Sequence, residues 1–558
     1  MKIVLSEYLN LLKEDQELDS LLSDLLISME IIPITKPKKG AKQHGVDITA
    51  VGIDPEDGVK KLFLFAVKRG NLTPSNWDTG KNAVRPTLNE IQDDYLSTNL
   101  PIKLKPLPKC IIVATNGGVS QEVNQQWVNY TNNHSIKREL EFKFWGTDEI
   151  VSLLEKHLLN EVLFPAEYRS LLRKTLAFLD LPDFDLKHFY LLIEKILSVK
   201  GSKKQQLKKM RLVSLCVNML WTWCEDVGNL KPAIYGAERS LLLTWYWLQS
   251  NDLLKEKYAL REFEKLHHLK KDINHQFFIK TYEHCSVRDS LYKYSRNSIN
   301  YTLTAFEYIG ILASIGLSEF FDGERHSILK KGDKEFSKTC YTNSLAVAHA
   351  LMAFIEHNPS SLNPQFDEHC IEVTLCFLLL YKTQQHEFAA SMLHKLILYL
   401  NDSILFNDFF PLFHTSYDAL LETNFDKSAP KISSSFLLTV LAEWSVMLQN
   451  PSAYQLLRNL ISNRAPEVNL QMWFPEADTE QTYLKEEAMK NTGSIKHSIK
   501  LHADMNEYKK EMLFECGHAE YSQEKGFKTF TNGYYYLNFL ANRHYRSCVF
   551  PYLWRGLM

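Results

Sequence analysis

Residues 45–70 read GVDITAVGIDPEDGVKKLFLFAVKRG. Two runs with strand character, GVDITAV and KLFLFAV, flank the turn-forming segment DPEDG. One acid stands early, Asp47, and one lysine stands late, Lys68. Residues two apart on a strand project from the same face, so positions 66 and 68 form a pair. Metal-assisted cleavage of a phosphodiester needs this layout. Carboxylates hold a divalent cation, which polarises the phosphate and activates water. A lysine two residues beyond the second acceptor orients the water or stabilises charge developing on phosphorus. Asp47 and Lys68 suit those roles. The middle position is Ala66, which offers no ligand.

On either side of this stretch the chain alternates between helix and strand. In LDSLLSDLLISME, the residues Leu18, Leu21, Leu22, Leu25, Leu26 and Met29 recur with helical spacing. Residues 4–12 also read as helix. PTLNEIQDDYLS (86–97) predicts a helix opened by Pro86 at its first position. KCIIVATN (109–116) predicts a buried strand running into the turn Asn116-Gly117-Gly118. A helix over 119–132, a short strand EFKFW (141–145) and a helix from DEIVSLLEKHLL complete the run. The order is helix, hairpin, helix, strand, helix, strand, helix, which is an α/β unit.

The rest of the chain differs in kind. Residues 1–165 hold 9 Gly and 9 Pro, whereas the remaining 393 hold 12 and 10. Because Gly and Pro punctuate turns, the first part is turn-rich and the second is dominated by long helices. From about residue 170 helix follows helix: 344–357 stops at Asn358-Pro359, and 434–449 stops at Asn450-Pro451, with 387–400 between them. No fixed period identifies a named repeat. The 558 residues exceed one hydrophobic core, so two domains are expected, 1–165 and 170–558, with a further subdivision near 330–345.

Composition excludes several classes. The net charge of −2 gives no global basic field, so nucleic-acid binding must come from local patches. The start, MKIVLSEYLNLLKEDQELDS, turns acidic too early for a secretory signal. Apolar runs such as LCFLLLY (375–381) are short for a membrane span, so the reading is cytoplasmic with no membrane partner. Nine cysteines without a CxxC pair read as isolated buried thiols, and CGH at 516–518 lacks a partner at zinc-ligand spacing. No P-loop, HExxH, GxSxG or strand-borne GxGxxG is present.

The stretch around Asp47 and Lys68 resembles the PD-(D/E)xK nuclease superfamily. It resembles in particular the restriction-endonuclease-like domains at the N-termini of bacterial anti-phage defence proteins. The likeness rests on the leucine-rich helix with Asp19, on Gly45, Asp47 and Ile48, and on Lys68, Arg69 and Gly70 in FAVKRGNLTPSNW. The later strand leading to TNGGVS, a short aromatic strand and the DEIVSLL helix extend it, over roughly residues 10–165. The resemblance implies a mixed sheet flanked by helices, followed by a large all-α array that senses, regulates or docks. It implies a DNA endonuclease using Mg2+ or Mn2+, with double-stranded DNA as target and a separately encoded partner such as an ATPase. A homo-oligomer stays open.

In the family, position 66 is Glu, Asp or Gln. Three explanations of Ala66 stand. Another acid has moved into the metal shell, with Asp19, Asp54, Glu56, Glu90, Asp93 and Asp94 near in sequence. The domain is a degenerate nuclease that grips DNA and recruits a partner ATPase or nuclease. Or the natural acceptor has been replaced. Asp19 falls where the family often has a helix-borne Glu, so Asp47 and Asp19 are the expected metal ligands. Lys36, Lys38, Lys39 and Lys42, in the loop TKPKKGAKQHG before the first strand, and Arg69 are the expected phosphate contacts, against the plainer reading of a solvated loop. The basic run 199–211 reads first as a solvated helix face, His267-His268 as surface or packing residues, and the aromatic runs TWYWLQ and NGYYYLNF as helical core. A purely protein-binding helical adaptor is the third functional reading.

Overall fold

The computed structural model describes residues 2–10, 12, 18–35, 44–79, 83–157, 166–177, 179, 184–198, 201–329, 333–407, 410–411, 417, 420, 433–476, 478–485, 492–494, 499–516, 525–551 and 555. The chain divides into two compact units, Met1–Gly236 and Ala237–Met558. The division falls well beyond the change in Gly and Pro usage near residue 165.

The first unit is built on a five-stranded sheet in sequence order: β1 (Ile32–Thr35), β2 (Ile48–Ile53), β3 (Lys60–Lys68), β4 (Lys109–Thr115) and β5 (Leu140–Trp145). β1 and β3 each run antiparallel to β2, which lies between them, and β3, β4 and β5 run parallel. The helices before the site are α1 (Lys2–Leu9) and α2 (Asp19–Ser28). Between β3 and β4 lie α3 (Pro74–Trp77) and α4 (Val84–Glu90), the latter continuing as a π-helical segment, Ile91–Asn99. Then α5 (Gln121–His134) links β4 to β5, and α6 (Thr147–His157), α7 (Ala166–Leu176), α8 (Lys187–Ser198) and α9 (Lys203–Asp226) follow. The basic run of 199–211 thus forms the start of α9 from Lys203 onward.

The expected alternation is present, with three differences. The strand β1 is additional: Ile-Pro-Ile-Thr is short, and its Pro33 removes a ladder donor, which is tolerated because β1 is an edge strand. The helix over 86–97 opens at Val84 and places Pro86 third in its first turn, where no intrahelical N–H is required. It then widens into the π-helical segment, which periodicity did not reveal.

Strand pleating sorts β3 into two faces. Leu62, Leu64 and Ala66 join a buried core with Val84 and Leu88 of α4, Ile91, Ile111 and Val113 of β4, and Val123 and Tyr130 of α5. The alternate residues Phe63, Phe65 and Val67 face the other way, and Phe65 meets Trp145 edge-to-face at 5.2 Å. The helices α1, α2 and α6 pack together, with α2 also against β1 and β2.

The second unit is helical. After α10 (Lys231–Ser250), which spans the unit boundary, come α11 (Lys257–Cys285), α12 (Ser298–Leu329), α13 (Lys334–His357), α14 (Cys370–Lys382), α15 (His386–Asn407), α16 (Leu437–Met447), α17 (Pro451–Arg464), α18 (Met505–Cys516) and α19 (Tyr536–Tyr545). The aromatic runs TWYWLQ and NGYYYLNF contribute to the core, as expected: Trp245, Trp247, Tyr534, Tyr536 and Phe539 are buried. One described helix, Ser298–Ile328, has the length and mean hydropathy of a membrane span, longer than the apolar runs apparent in the sequence; 67% of its most apolar window is buried by the rest of the fold. The eight described cysteines that the structure records as free are all buried.

Candidate functional site

Asp47 directly precedes β2. Its N–H donates to the Phe65 carbonyl at 2.8 Å, and its carboxylate accepts from the Val67 N–H at 2.7 Å. The early acid is therefore bonded to the backbone between positions 66 and 68 of β3. Ala66 is fully buried in the α4-side core, and Lys68, at the end of the strand, is half-buried. Among the described residues no carboxylate pairs with Lys68. Arg69 beside it is exposed.

The loop after β3 is fixed to the end of β4. Asn116, only 3% exposed, accepts from the Gly70 N–H at 2.9 Å through Oδ1. Its Nδ2 donates to the carbonyls of Leu9 and Leu12, at 2.9 and 3.1 Å, which caps the end of α1. The Thr115 hydroxyl donates to the Gly70 carbonyl at 2.6 Å. At Gly117 a Cβ would lie 2.3 Å from the Gly70 carbonyl carbon, so only glycine permits this approach. The Asn-Gly-Gly turn holds the segment bearing Arg69 and Gly70 in place; its side chain is committed to structural bonds.

The acids proposed to replace position 66 sort by location. Asp54 and Glu56 lie past the far end of β2. Asp54, 2% exposed, receives hydrogen bonds from Lys61 and Lys143, both at 2.9 Å, and Glu56 pairs with Lys143 at 2.8 Å. Both are consumed by a structural network. Asp19 opens α2, and its carboxylate accepts from its own neighbour, the Ser20 N–H, at 2.7 Å. Asp93 is exposed. Glu90 and Asp94 instead meet His44, just ahead of Asp47. His44 Nδ1 lies 4.0 Å from Glu90 Oε1 and 3.8 Å from Asp94 Oδ2. Gly45 is seated on the same helix: its φ is +80°, and a Cβ there would lie 2.8 Å from the Thr87 carbonyl oxygen. Farther along β2, the Thr49 hydroxyl and the Tyr95 phenol are 2.9 Å apart. Lys36, Lys38, Lys39 and Lys42 lie outside the described residues.

The donor set can be weighed against a divalent cation. The three sequence positions supply a single carboxylate, Asp47, since Ala66 supplies nothing. One carboxylate suffices for Mg2+ only when waters and substrate phosphates complete the shell. His44, Glu90 and Asp94 add two carboxylates and an imidazole. The sequence contained a signal for the acids, an i, i+4 pair on one helix. His44 was legible only as part of a basic loop.

A second polar centre lies buried in the helical unit and carried no motif. His267 of α11 sits between Asp322 of α12, at 2.9 Å, and the Tyr536 hydroxyl of α19, at 3.0 Å. Glu238 pairs with Arg543 and His544. Burial alone would push the Glu238 carboxyl up, but Arg543 and the His544 hydrogen bond outweigh it and hold it at about 2. Lys270, 1% exposed, has no hydrogen-bond partner for Nζ among the described residues, and burial draws it down to about 8. His267 is a hydrogen-bonded core residue; the pair His267-His268 does not form a surface patch. Buried paired charges of this kind fix how helices pack and are weak evidence of chemistry.

Comparison with protein-family models, curated proteins and solved structures finds no match for this chain.

Proposed function

We propose that the first unit is a metal-dependent DNA nuclease of the restriction-endonuclease-like type, with the helical unit as its sensing or docking part. The observation that carries this reading is the Asp47 carboxylate on the Val67 N–H of a mixed sheet, one residue from Lys68, which has no carboxylate partner among the described residues. In this reading Asp47 holds Mg2+ or Mn2+, Lys68 stabilises charge on the phosphate, and Arg69 with the lysines of 36–42 contacts the duplex backbone. The bound ion would polarise the phosphate and activate water. The setting is bacterial anti-phage defence in the cytoplasm, with foreign DNA as target and a partner ATPase on a separate chain.

The test is DNA cleavage with Mg2+ or Mn2+ by this chain, by Ala66→Glu and Ala66→Gln, and by the Asp47→Ala/Lys68→Ala double variant. Cleavage abolished by chelator and by the double variant supports the reading. Silence in all single-position forms, with and without the partner, removes it.

The burial of Ala66 favours a second reading, a catalytically degenerate DNA-binding scaffold. That form binds DNA with steep salt dependence and no metal requirement. Replacing Lys36, Lys38, Lys39 and Lys42 with Ala then abolishes the gel shift; a chain with no salt-sensitive shift at all is a protein-binding adaptor instead.

A further inference from the structure

His44, Glu90 and Asp94 come from segments about forty-five residues apart, yet one ligand atom from each lies within 4.8 Å of the other two. The His44 side chain is 30% exposed, but its Nδ1 atom is shut off from solvent and has no hydrogen-bond partner. That nitrogen faces two carboxylates. Glu90 and Asp94 are themselves four apart on one helix, where like charges repel. Among the described residues no lysine or arginine pairs with either. Two acids and an imidazole nitrogen without a hydrogen-bond partner converge on one point, where no described lysine or arginine pairs with them.

We propose that His44, Glu90 and Asp94 form a binding site for a divalent transition-metal ion of the Mn2+ or Zn2+ class. An imidazole with carboxylates suits these ions better than Mg2+, which prefers oxygen donors alone. Ligands about 2.1 Å from an ion stand roughly 3.0–3.4 Å apart, so the separations of 3.8 and 4.0 Å close by small side-chain rotations. The site sits on the α4 side of the sheet, next to the Asp47 end of β2. Where the nuclease reading holds, the proposal deepens it, because the ion supplies near Asp47 and Lys68 the charge that Ala66 does not hold.

The experiment is metal binding by the full chain after chelator treatment. Isothermal titration with Mn2+, Zn2+ and Mg2+ is run beside the absorption spectrum of the Co2+ form. The variants are Glu90→Gln, Asp94→Asn and His44→Asn. Asparagine tolerates the positive φ of position 44, so that variant keeps the backbone. Asp93→Asn, an exposed acid on the same helix outside the cluster, is the control. One ion is expected to bind at this site, with Mn2+ or Zn2+ ahead of Mg2+. Each of the three variants should weaken binding at least tenfold, and His44→Asn should shift the Co2+ spectrum. Asp93→Asn should retain the ion.

Binding that survives in His44→Asn and Asp94→Asn, or no binding of any of these ions, overturns the site. The two proposals fail separately. Metal bound through His44 without DNA cleavage removes the nuclease and keeps the site. Cleavage that needs Asp47 but is indifferent to His44, Glu90 and Asp94 keeps the nuclease and removes the site.

Discussion

Two lysines on β3 stand in opposite conditions. Lys61 and Lys68 are seven residues apart, or about 23 Å along an extended strand. Lys61, 4% exposed, pairs with Asp54 at 2.9 Å, Asp57 at 2.6 Å and Glu141 at 2.7 Å. Lys143 joins Asp54 and Glu56 to the same network. Burial alone would make the Lys61 ammonium easier to deprotonate, but its three acid partners outweigh that and raise its pKa. At the other end Lys68 has no carboxylate partner among the described residues, and no described lysine or arginine pairs with Glu90 or Asp94. One end of the sheet has its charges matched internally. The other leaves Lys68, Glu90 and Asp94 without a carboxylate, lysine or arginine partner among the described residues, and it is the end to which the proposed ion and phosphate are assigned.

The largest effect expected from this contrast is at the matched end. Lys61→Ala leaves three acids around a buried site. Breaking a buried pair from one side costs about 3 kcal/mol or more. The first thermal or denaturant transition should fall accordingly. A fall no larger than that of a surface lysine would mean that the network is solvated and the two ends are alike.

Next in size is the latch behind Lys68. Asn116→Ala leaves the Gly70 N–H and the Leu9 and Leu12 carbonyls without this partner, a loss of about 2 kcal/mol. Hydrogen exchange should rise at Gly70 and around the end of α1. Unchanged exchange there would mean that the loop after β3 does not depend on β4.

Acid should act first on the matched end. Burial pushes the Asp54 carboxyl up, but hydrogen bonds from Lys143 and Lys61 outweigh it and keep it below the ordinary range. A carboxylate with a depressed folded pKa contributes stability above its unfolded pKa, and that contribution fades as pH falls through the folded value. The first unit should therefore lose stability below about pH 4. An Asp54→Asn chain, less stable at neutral pH, should show a flatter profile in that window. Parallel profiles would remove Asp54 as the acid-sensitive group.

The sequence disclosed these two ends unequally. β2 and β3 were legible because alternation and buried apolar runs are local signals, and Asp47 and Lys68 came with them. Asp54 and Glu56 read as possible metal ligands, since nothing local says that Lys143 arrives from β5 to neutralise both. His44 belongs to one segment and Glu90 and Asp94 to another, and the fold alone joins them. The same holds for His267 and Asp322, 55 residues apart, whose pairing no spacing rule predicts. The strand β1 was hidden by its length and its proline. The π-helical segment was hidden because apolar spacing around Ile91 fits an ordinary helix equally well.

The smallest effect has the opposite sign and divides the two ends most sharply. Without metal, Asp94→Asn removes one of two like charges on a helix and should stabilise the first unit by about 0.3 kcal/mol. At the matched end every loss of charge destabilises. The same variant should lose the stabilisation that Mn2+ or Zn2+ gives the unaltered chain, since an ion that binds only the folded state raises stability by mass action. Thermal melts with chelator and with each ion check both halves. A destabilised Asp94→Asn in chelator would mean that the carboxylate has a structural partner, and the distinction between the two ends of β3 would fail at its weakest point. A gain in chelator with no response to metal would place Asp94 among the unmatched charges of the sheet and turn attention back to Asp47 alone as the residue that draws a cation to it.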